Sequence, residues 1–305
     1  MAGQTTQERV GSRAVQISRP EKVLFPGDGI TKADLVAYYR EVAPVMLPHL
    51  RGRALMLERY PDGTDAQRIM QKEISDYFPD WIHRARLAKH GGSVTHVVCD
   101  DEATLVYLAN QACIGLHRWP AKTDRPEHPD RLIVDLDPAR DDFDAVREAA
   151  QLLHELLDEL GLPSTAMTTG SRGLHVLVAL DRRADFDEVR AFAHDVAELL
   201  AARHPDRLTT EARKQARRHR LYLDVQRNGY AQTAIAPYSV RALPGAPVAA
   251  PIAWSELDDP TVTARRWTMA TIGERIRADP WQAQPQRGHA LGPAKRRLAA
   301  LKDAR

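Results

Sequence analysis

The stretch RLIVDLD (131–137) decides the architecture of this 305-residue chain. Its apolar run marks a buried strand, and the residues after it keep a regular grammar. From Asp141 to Leu160, Phe143, Val146, Ala149, Leu153, Leu156, Leu157 and Leu160 fall at helical spacing, and the pattern stops at Gly161 with Pro163 beyond. TAMTT (165–169), the turn GSRG (170–173) and LHVLVAL (174–180) read as a hairpin. A second helix is predicted from about Phe186 to Arg203, with Asp185 as N-cap and Glu188 three residues on, and RLYLDV (220–225) closes the set. The order β-α-β-β-α-β is the split βαβ, or ferredoxin/RRM-like, unit of an α/β (α+β) protein, with four antiparallel strands and both helices on one face of the sheet.

Residues two apart in a strand share a face, so the helices cover Val134 and Leu136 while Asp135 and Asp137 take the open face. The same parity puts His175 and Asp224 there. Like charges on neighbouring strands repel, which is a physical reason to expect divalent cations. Two hard cations of this kind, of which Mg²⁺ usually takes one or two carboxylates plus substrate phosphates, would take oxygen ligands from Asp135, Asp137 and Asp224 and serve phosphoryl transfer. An Asp-x-Asp before Pro is also an ordinary strand end; the matching Asp224 on another strand favours the metal reading. The turn 168–175 combines Thr169, Ser171, Arg172 and two glycines, a composition suited to a phosphate-binding nest. A basic run, EARKQARRHR (211–220), leads into the strand that holds Asp224, where a solvated face and a phosphate-binding role are both open. Two other classes fit the same unit: an RRM-like nucleic-acid-binding module without catalysis, and a nucleotide cyclase or other palm-type enzyme. An RRM would carry aromatic residues on its central strands, where this chain has Asp135, Asp137 and His175.

Working outward, residues 18–60 predict a helix capped by Thr31 with Asp34, ending before Pro44, and a strand at ALMLERY (54–60). Strands are expected at Val94–Val98 and Thr104–Leu108, and a Pro-rich connector follows Trp119. The expected organisation is a flexible segment at 1–17, an α/β lobe at 18–120, the connector at 121–130, the catalytic lobe at 131–260, and a helical, basic tail at 261–305. No run approaches the roughly 18 apolar residues of a membrane span, and the N-terminus lacks the apolar core of a secretory signal, so the expected compartment is the cytoplasm with no membrane partner. Cys99 and Cys113 suggest inert buried thiols. The formal net charge is +2, but 35 of the 43 basic residues are Arg, which suits bidentate phosphate contacts, and the run at 211–220 concentrates basic residues beside Asp224.

EKVLFPGDGITKADLVAYY (21–39), PHLRGRAL (48–55), QKEISDYFPDWI (71–82), CIGLHRWP (113–120), DLDP (135–138), GSRGLHV (170–176) and LYLDVQRNGYAQTAIAPYSVRALPGAPVAAPIAWSEL (221–257) together resemble the polymerase domain of bacterial ATP-dependent DNA ligase D, of the archaeo-eukaryotic primase superfamily. The resemblance covers roughly 18–260 as one unit and implies a two-lobed nucleotidyltransferase. Such an enzyme adds NTPs or dNTPs to DNA primers and fills gaps during non-homologous end joining. It further implies that Asp135, Asp137 and Asp224 bind two metal ions, Mn²⁺ or Mg²⁺, and act catalytically, and that His117, Thr169, Ser171, Arg172, His175, Arg217 and Arg241 surround the nucleotide. Lys22 and Lys32 match residues that hold the 5′-phosphate at a gap. Ile69 and Met70 stand where the family commonly has two aromatic residues against the template base. Implied partners are broken or gapped DNA, Ku and a separate ATP-dependent ligase, with work at the bacterial nucleoid and a stand-alone form expected.

Overall fold

The computed structural model describes residues 5–282 and 287–303. Two compact units emerge. One gathers residues 1–119, 233–249 and 267–278, the other residues 120–232, 250–266 and 279–305. The break at Trp119/Pro120 falls where the Pro-rich connector begins, but the later chain weaves between units, so neither unit is one continuous segment. Short strand pairings formed by distant residues cause this, and such pairings leave no periodic signal in sequence.

The first unit opens with β1 (Thr5–Val10) and β2 (Arg13–Ser18), an antiparallel hairpin where a flexible segment was expected. Alternation accounts for it: Val15 and Ile17 are buried while their neighbours face solvent. Next come β3 (Val23–Phe25), β4 (Ile30–Thr31) and α1 (Lys32–Leu50). Thr31 and Asp34 form the expected capping box, yet α1 continues through Pro44 and Pro48. Burial of Ala43, Met46, Leu47 and Leu50 outweighs the missing amide donors. Strands β5 (Leu55–Arg59), β6 (Ile69–Gln71), β7 (Arg84–Lys89) and β8 (Gly92–Val97) lead to α2 (Glu102–Asn110) and β9 (Cys113–Arg118). Helix α2 replaces the strand expected at 104–108. Asp101 caps it, and every residue from Ala103 to Asn110 is buried, so it has no polar face to reveal a helical period.

The second unit holds β10 (Arg131–Asp137), α3 (Phe143–Glu159), β11 (Ser164–Thr168), β12 (Leu174–Ala179), α4 (Phe186–Arg203), β13 (Leu208–Thr209) and β14 (Leu221–Asp224). The chain then supplies β15 (Ala234–Ile235) to the first unit and β16 (Pro251–Ile252) to the second. Helices α5 (Ile272–Ala278) and α6 (Leu291–Asp303) follow, one to each unit in that order. Residues 231–257 are thus two short strands joined by turns, ending in a 3₁₀ turn that begins at Trp254. Of the expected tail, residues 283–286, 304 and 305 lie outside the described residues.

The second unit's sheet runs β13-β14-β10-β12-β11-β16, and its middle four strands have the split βαβ order. Leu132, Val134 and Leu136 share a buried face with Val176, Val178 and Leu223, beneath the apolar stripes of α3 and α4. The opposite face is open at one end only. Past the end of β14, the fully buried Asn228 side chain takes over the ladder, accepting from Ile133 N at 2.8 Å and donating to Ile133 O at 2.7 Å. Ile133 and Leu177 are buried at the centre of that face, while Asp135 and Asp137 at the carboxylate end are partly exposed. In the first unit, β15-β9-β5-β6 form a four-stranded sheet. No helix among the described residues is long and apolar enough to cross a membrane.

Candidate active site

Strand β10 lies between β14 and β12, and register alone gathers the chemistry. Asp135 stands opposite Asp224 on one side and His175 on the other, with Asp137 opposite Tyr222. Each carboxylate meets a different environment. Asp135, 15% exposed, contacts His175 Nε2 and an Arg227 nitrogen, both at 3.5 Å. Asp137, 33% exposed, pairs with Arg172 at 3.3 Å and Arg217 at 3.5 Å. Asp224 accepts the Gln226 amide at 2.8 Å and makes no ion pair among the described residues.

Their proton affinities diverge accordingly. Burial opposes ionisation of Asp135, but His175 and then Arg227 outweigh it and hold the pKa below the ordinary carboxylate value. Burial also pushes Asp224 up; the Gln226 amide opposes this, the charges of Asp135 and Asp137 add to it, and the net shift is upward. Three hard oxygen donors gathered at the ends of two adjacent strands, with Asp224 making no ion pair among the described residues, are a donor set for hard divalent cations. The buried His175 Nδ1, which has no hydrogen-bond partner, adds unused polar capacity at the same place. These residues fit divalent cations. Among the described residues, one acidic and imidazole cluster has ligand atoms all within 4.8 Å of one another, and it lies elsewhere: His194, Asp195 and Glu198 on α4, with Lys302 on Asp195.

The 169–173 loop packs against the end of β10. Gly170 takes a φ of +65°, and a Cβ on Gly173 would stand 2.2 Å from the Leu136 carbonyl oxygen, so both glycines are required for the loop to lie this close. Thr169 is inside the loop rather than at its tip. Its buried hydroxyl donates to Gly173 O at 3.0 Å and accepts the Gly173 amide at 3.2 Å, which makes it an organiser of the turn. Ser171 and Arg172 form the tip, where Arg265 Nε donates to Ser171 O at 2.8 Å. The basic run 211–220 contains a 3₁₀ turn, Lys214–Arg217. Most of the run is exposed, but Arg217 is buried, donates to Glu211 O and Ala212 O, and lies 4.1 Å over the Tyr222 ring.

Eight expected site residues thus share the second unit: Asp135, Asp137, Asp224, Thr169, Ser171, Arg172, His175 and Arg217. The rest are in the first unit. There His117 Nε2 contacts Glu58 at 3.2 Å, Tyr60 donates to Glu58 at 2.9 Å, and Arg241 is a nearby charge. Burial raises the Glu58 pKa, but the His117 hydrogen bond and charge, Tyr60 and Arg241 outweigh it and bring it to about 2. A Cβ on Gly115 would sit 2.6 Å from Glu58 Oε2, so β9 needs glycine there.

Lys22 pairs with the exposed Asp62 at 2.8 Å. Lys32 is buried behind it, donating to Ser18 O at 2.6 Å; burial, aided by Arg19 and Lys22, brings its pKa down to about 8. Ile69 and Met70, each 42% exposed, lie on the edge strand β6. Sequence reasoning missed Glu58, Arg227 and Arg265. Isolated charged residues carry no spacing signal, and their partners are tens of residues away.

Comparison with known proteins completes the picture. The family model described as "LigD, primase-polymerase domain" matches residues 31–281. The "Bifunctional non-homologous end joining protein LigD" of Bacillus subtilis is 34% identical over 265 residues, 86% of this chain and 42% of that protein. The "Multifunctional non-homologous end joining DNA repair protein LigD" of Mycobacterium tuberculosis is 34% identical over 257 residues, 81% of this chain and 34% of that protein. The chain therefore spans well under half the length of these relatives. Among solved structures, the "Polymerase Domain from Mycobacterium tuberculosis Ligase D in complex with DNA" superposes with a TM-score of 0.82 at 32% identity, covering 87% of this chain and 95% of that one.

Proposed function

The chain belongs to the LigD primase-polymerase domain family, and from that premise we propose that it extends DNA primers with NTPs or dNTPs, filling gaps at double-strand breaks before end joining. The observation that carries this reading is the row Asp224–Asp135–His175 across three strands, with Asp137 beside the glycine-bearing 169–173 loop.

Asp135, Asp137 and Asp224 would hold two divalent cations, Mn²⁺ or Mg²⁺. When bound, such ions stabilise the attacking and leaving oxygens of an in-line displacement. Asp224 would orient the primer 3′-hydroxyl or accept its proton as the oxygen attacks the α-phosphorus and the α–β phosphoanhydride bond breaks, releasing pyrophosphate. Ser171, Arg172 and Arg217 hold phosphate charge, Thr169 keeps the loop in shape, and His175 fixes Asp135. His117 and Arg241 are assigned to the nucleotide on the family resemblance.

Lys22 would exchange Asp62 for the 5′-phosphate at a gap, with Lys32 reinforcing the positive charge behind it. Ile69 and Met70 would wedge against the template base without the stacking that aromatic rings supply. The partners proposed are broken DNA, Ku and a separate ATP-dependent ligase, in the cytoplasm at the nucleoid.

One assay tests the reading: extension of a primer on gapped and single-stranded DNA, with NTPs and dNTPs, in Mn²⁺ and Mg²⁺. Metal-dependent extension, strongest on gaps with a 5′-phosphate, is expected. No extension in any condition, together with cyclic-nucleotide formation, would overturn it in favour of a cyclase.

A further inference from the structure

Strand β14 stops at Asp224, and what replaces it is unusual. The register sets Asp135 opposite Asp224 and Asp137 opposite Tyr222, so its continuation would set Gln226 opposite Ile133. The main chain turns away instead. Val225 leaves the extended conformation, with φ of −103° and ψ of 3°, and Gln226–Asn228 form a 3₁₀ turn. The Asn228 side chain occupies the vacated place, exchanging two hydrogen bonds with the Ile133 backbone and donating a third to Val225 O at 2.9 Å. Its oxygen and both N–H groups are therefore used, although the residue is fully buried. Extending β14 by two residues would have satisfied Ile133 with main-chain bonds alone. Burying a primary amide to do the same work departs from the simpler solution, and such departures concentrate where function gains from them.

The gain is at Asp224. Released from the ladder, the Gln226 amide donates to Asp224 Oδ1 at 2.8 Å, and the next residue, Arg227, reaches Asp135 at 3.5 Å. Arg190 on α4 donates to Gln226 Oε1 at 3.0 Å and supports the turn from outside. Asp224 makes no ion pair among the described residues, and the Tyr222 hydroxyl is a distant 3.5 Å away, so the Gln226 amide is its short contact. We propose that Asn228 is a positioning residue for the metal-binding carboxylates: it anchors the Gln226–Asn228 turn to β10 so that the Gln226 amide orients Asp224. The inference deepens the polymerase reading and rests on it. Asn228 touches no reacting group; it acts through the turn, and groups that hold a metal ligand from behind set metal affinity along with the ligand itself.

The test is Mn²⁺ binding by the full chain, followed by the electron paramagnetic resonance signal of the free ion, beside affinity for duplex DNA bearing an overhang. Asn228→Ala, kept below its melting temperature, should bind Mn²⁺ about tenfold or more weakly and DNA within about twofold of the parent. A coupling measurement separates positioning from general stability. On an Asp224→Asn background, where the oriented charge is gone, Asn228→Ala should change Mn²⁺ affinity by less than about twofold. Asn228→Ser, which leaves room for a water to meet Ile133, serves in the same measurements if the alanine chain does not fold. Parent-like Mn²⁺ affinity in a folded Asn228 variant, the same loss with and without the Asp224 charge, an equal loss of DNA affinity, or failure of both variants to fold would each overturn the proposal and leave Asn228 a residue of the fold alone. No Mn²⁺ binding by the parent at millimolar concentration would remove the metal site and the proposal with it. Because binding is read without turnover, failure of primer extension by a parent that binds Mn²⁺ would fall on the polymerase reading alone.

Discussion

Two carboxylates on sheet strands, Glu58 in the first unit and Asp224 in the second, shift in opposite directions. In the first unit, Glu58 is brought down to about 2, because His117, Tyr60 and Arg241 together outweigh burial. In the second, burial and the charges of Asp135 and Asp137 push Asp224 up against the Gln226 amide and the Arg227 charge. Glu58 has its compensation in contact with it, as Asp135 and Asp137 have theirs in His175, Arg227, Arg172 and Arg217, whereas Asp224 makes no ion pair among the described residues. A buried carboxylate is therefore no sign of a metal site until its compensation has been counted.

The largest effect expected from breaking this contrast is at the undercompensated end. Asp224→Asn, which keeps the shape and removes the charge, should lower nucleotide addition about a thousandfold and leave the metal-free protein no less stable, since it relieves repulsion. Primer-extension rates and thermal melting in chelator check both halves. Activity within tenfold of the parent would remove Asp224 from the machinery.

At the compensated end the sign reverses. Glu58 has a pKa of about 2 in the folded chain against an ordinary 4.5, so its stabilisation is complete above about pH 4.5 and lost as pH falls toward 2. Glu58→Gln should cost about 3 kcal/mol at neutral pH and flatten the acid limb of the stability curve over that window. Urea unfolding at several pH values reads this directly, and a variant with the parent's acid limb would show the cluster contributes nothing. The smallest step is Tyr60→Phe. Removing one hydrogen bond to Glu58 should cost about 1 kcal/mol and move its pKa upward, measurable in the same titration.

Much of the second unit was legible in advance because its helices are amphipathic and capped. The Asp185/Glu188 capping box, the apolar stripe of α3 and the strand parity that aligned Asp135, His175 and Asp224 are local or periodic features, and all are present. Helix α2 was misread as a strand because its surroundings are apolar on every side, which erases the contrast that periodicity depends on. The hairpin of β1 and β2 was overlooked for the opposite reason: its short strands bury single residues between polar ones. Arg227 on Asp135, Glu58 on His117 and Asn228 continuing the ladder at Ile133 are pairings between residues 59 or more positions apart, with no motif around them.

What the amino-acid order determined by itself was the split βαβ unit, the shared face of the three carboxylates and the glycine-bearing loop beside them, because each follows from hydrophobic period, capping chemistry or strand parity. The tertiary structure alone decided which carboxylates are compensated. It also decided that Thr169 shapes its loop from within, that Arg217 is buried while its neighbours in the same basic run are exposed, and that the chain after residue 232 is shared between the units. Electrostatic compensation and burial depend on distance in space, and distance in space between remote residues is fixed only when the whole chain has packed.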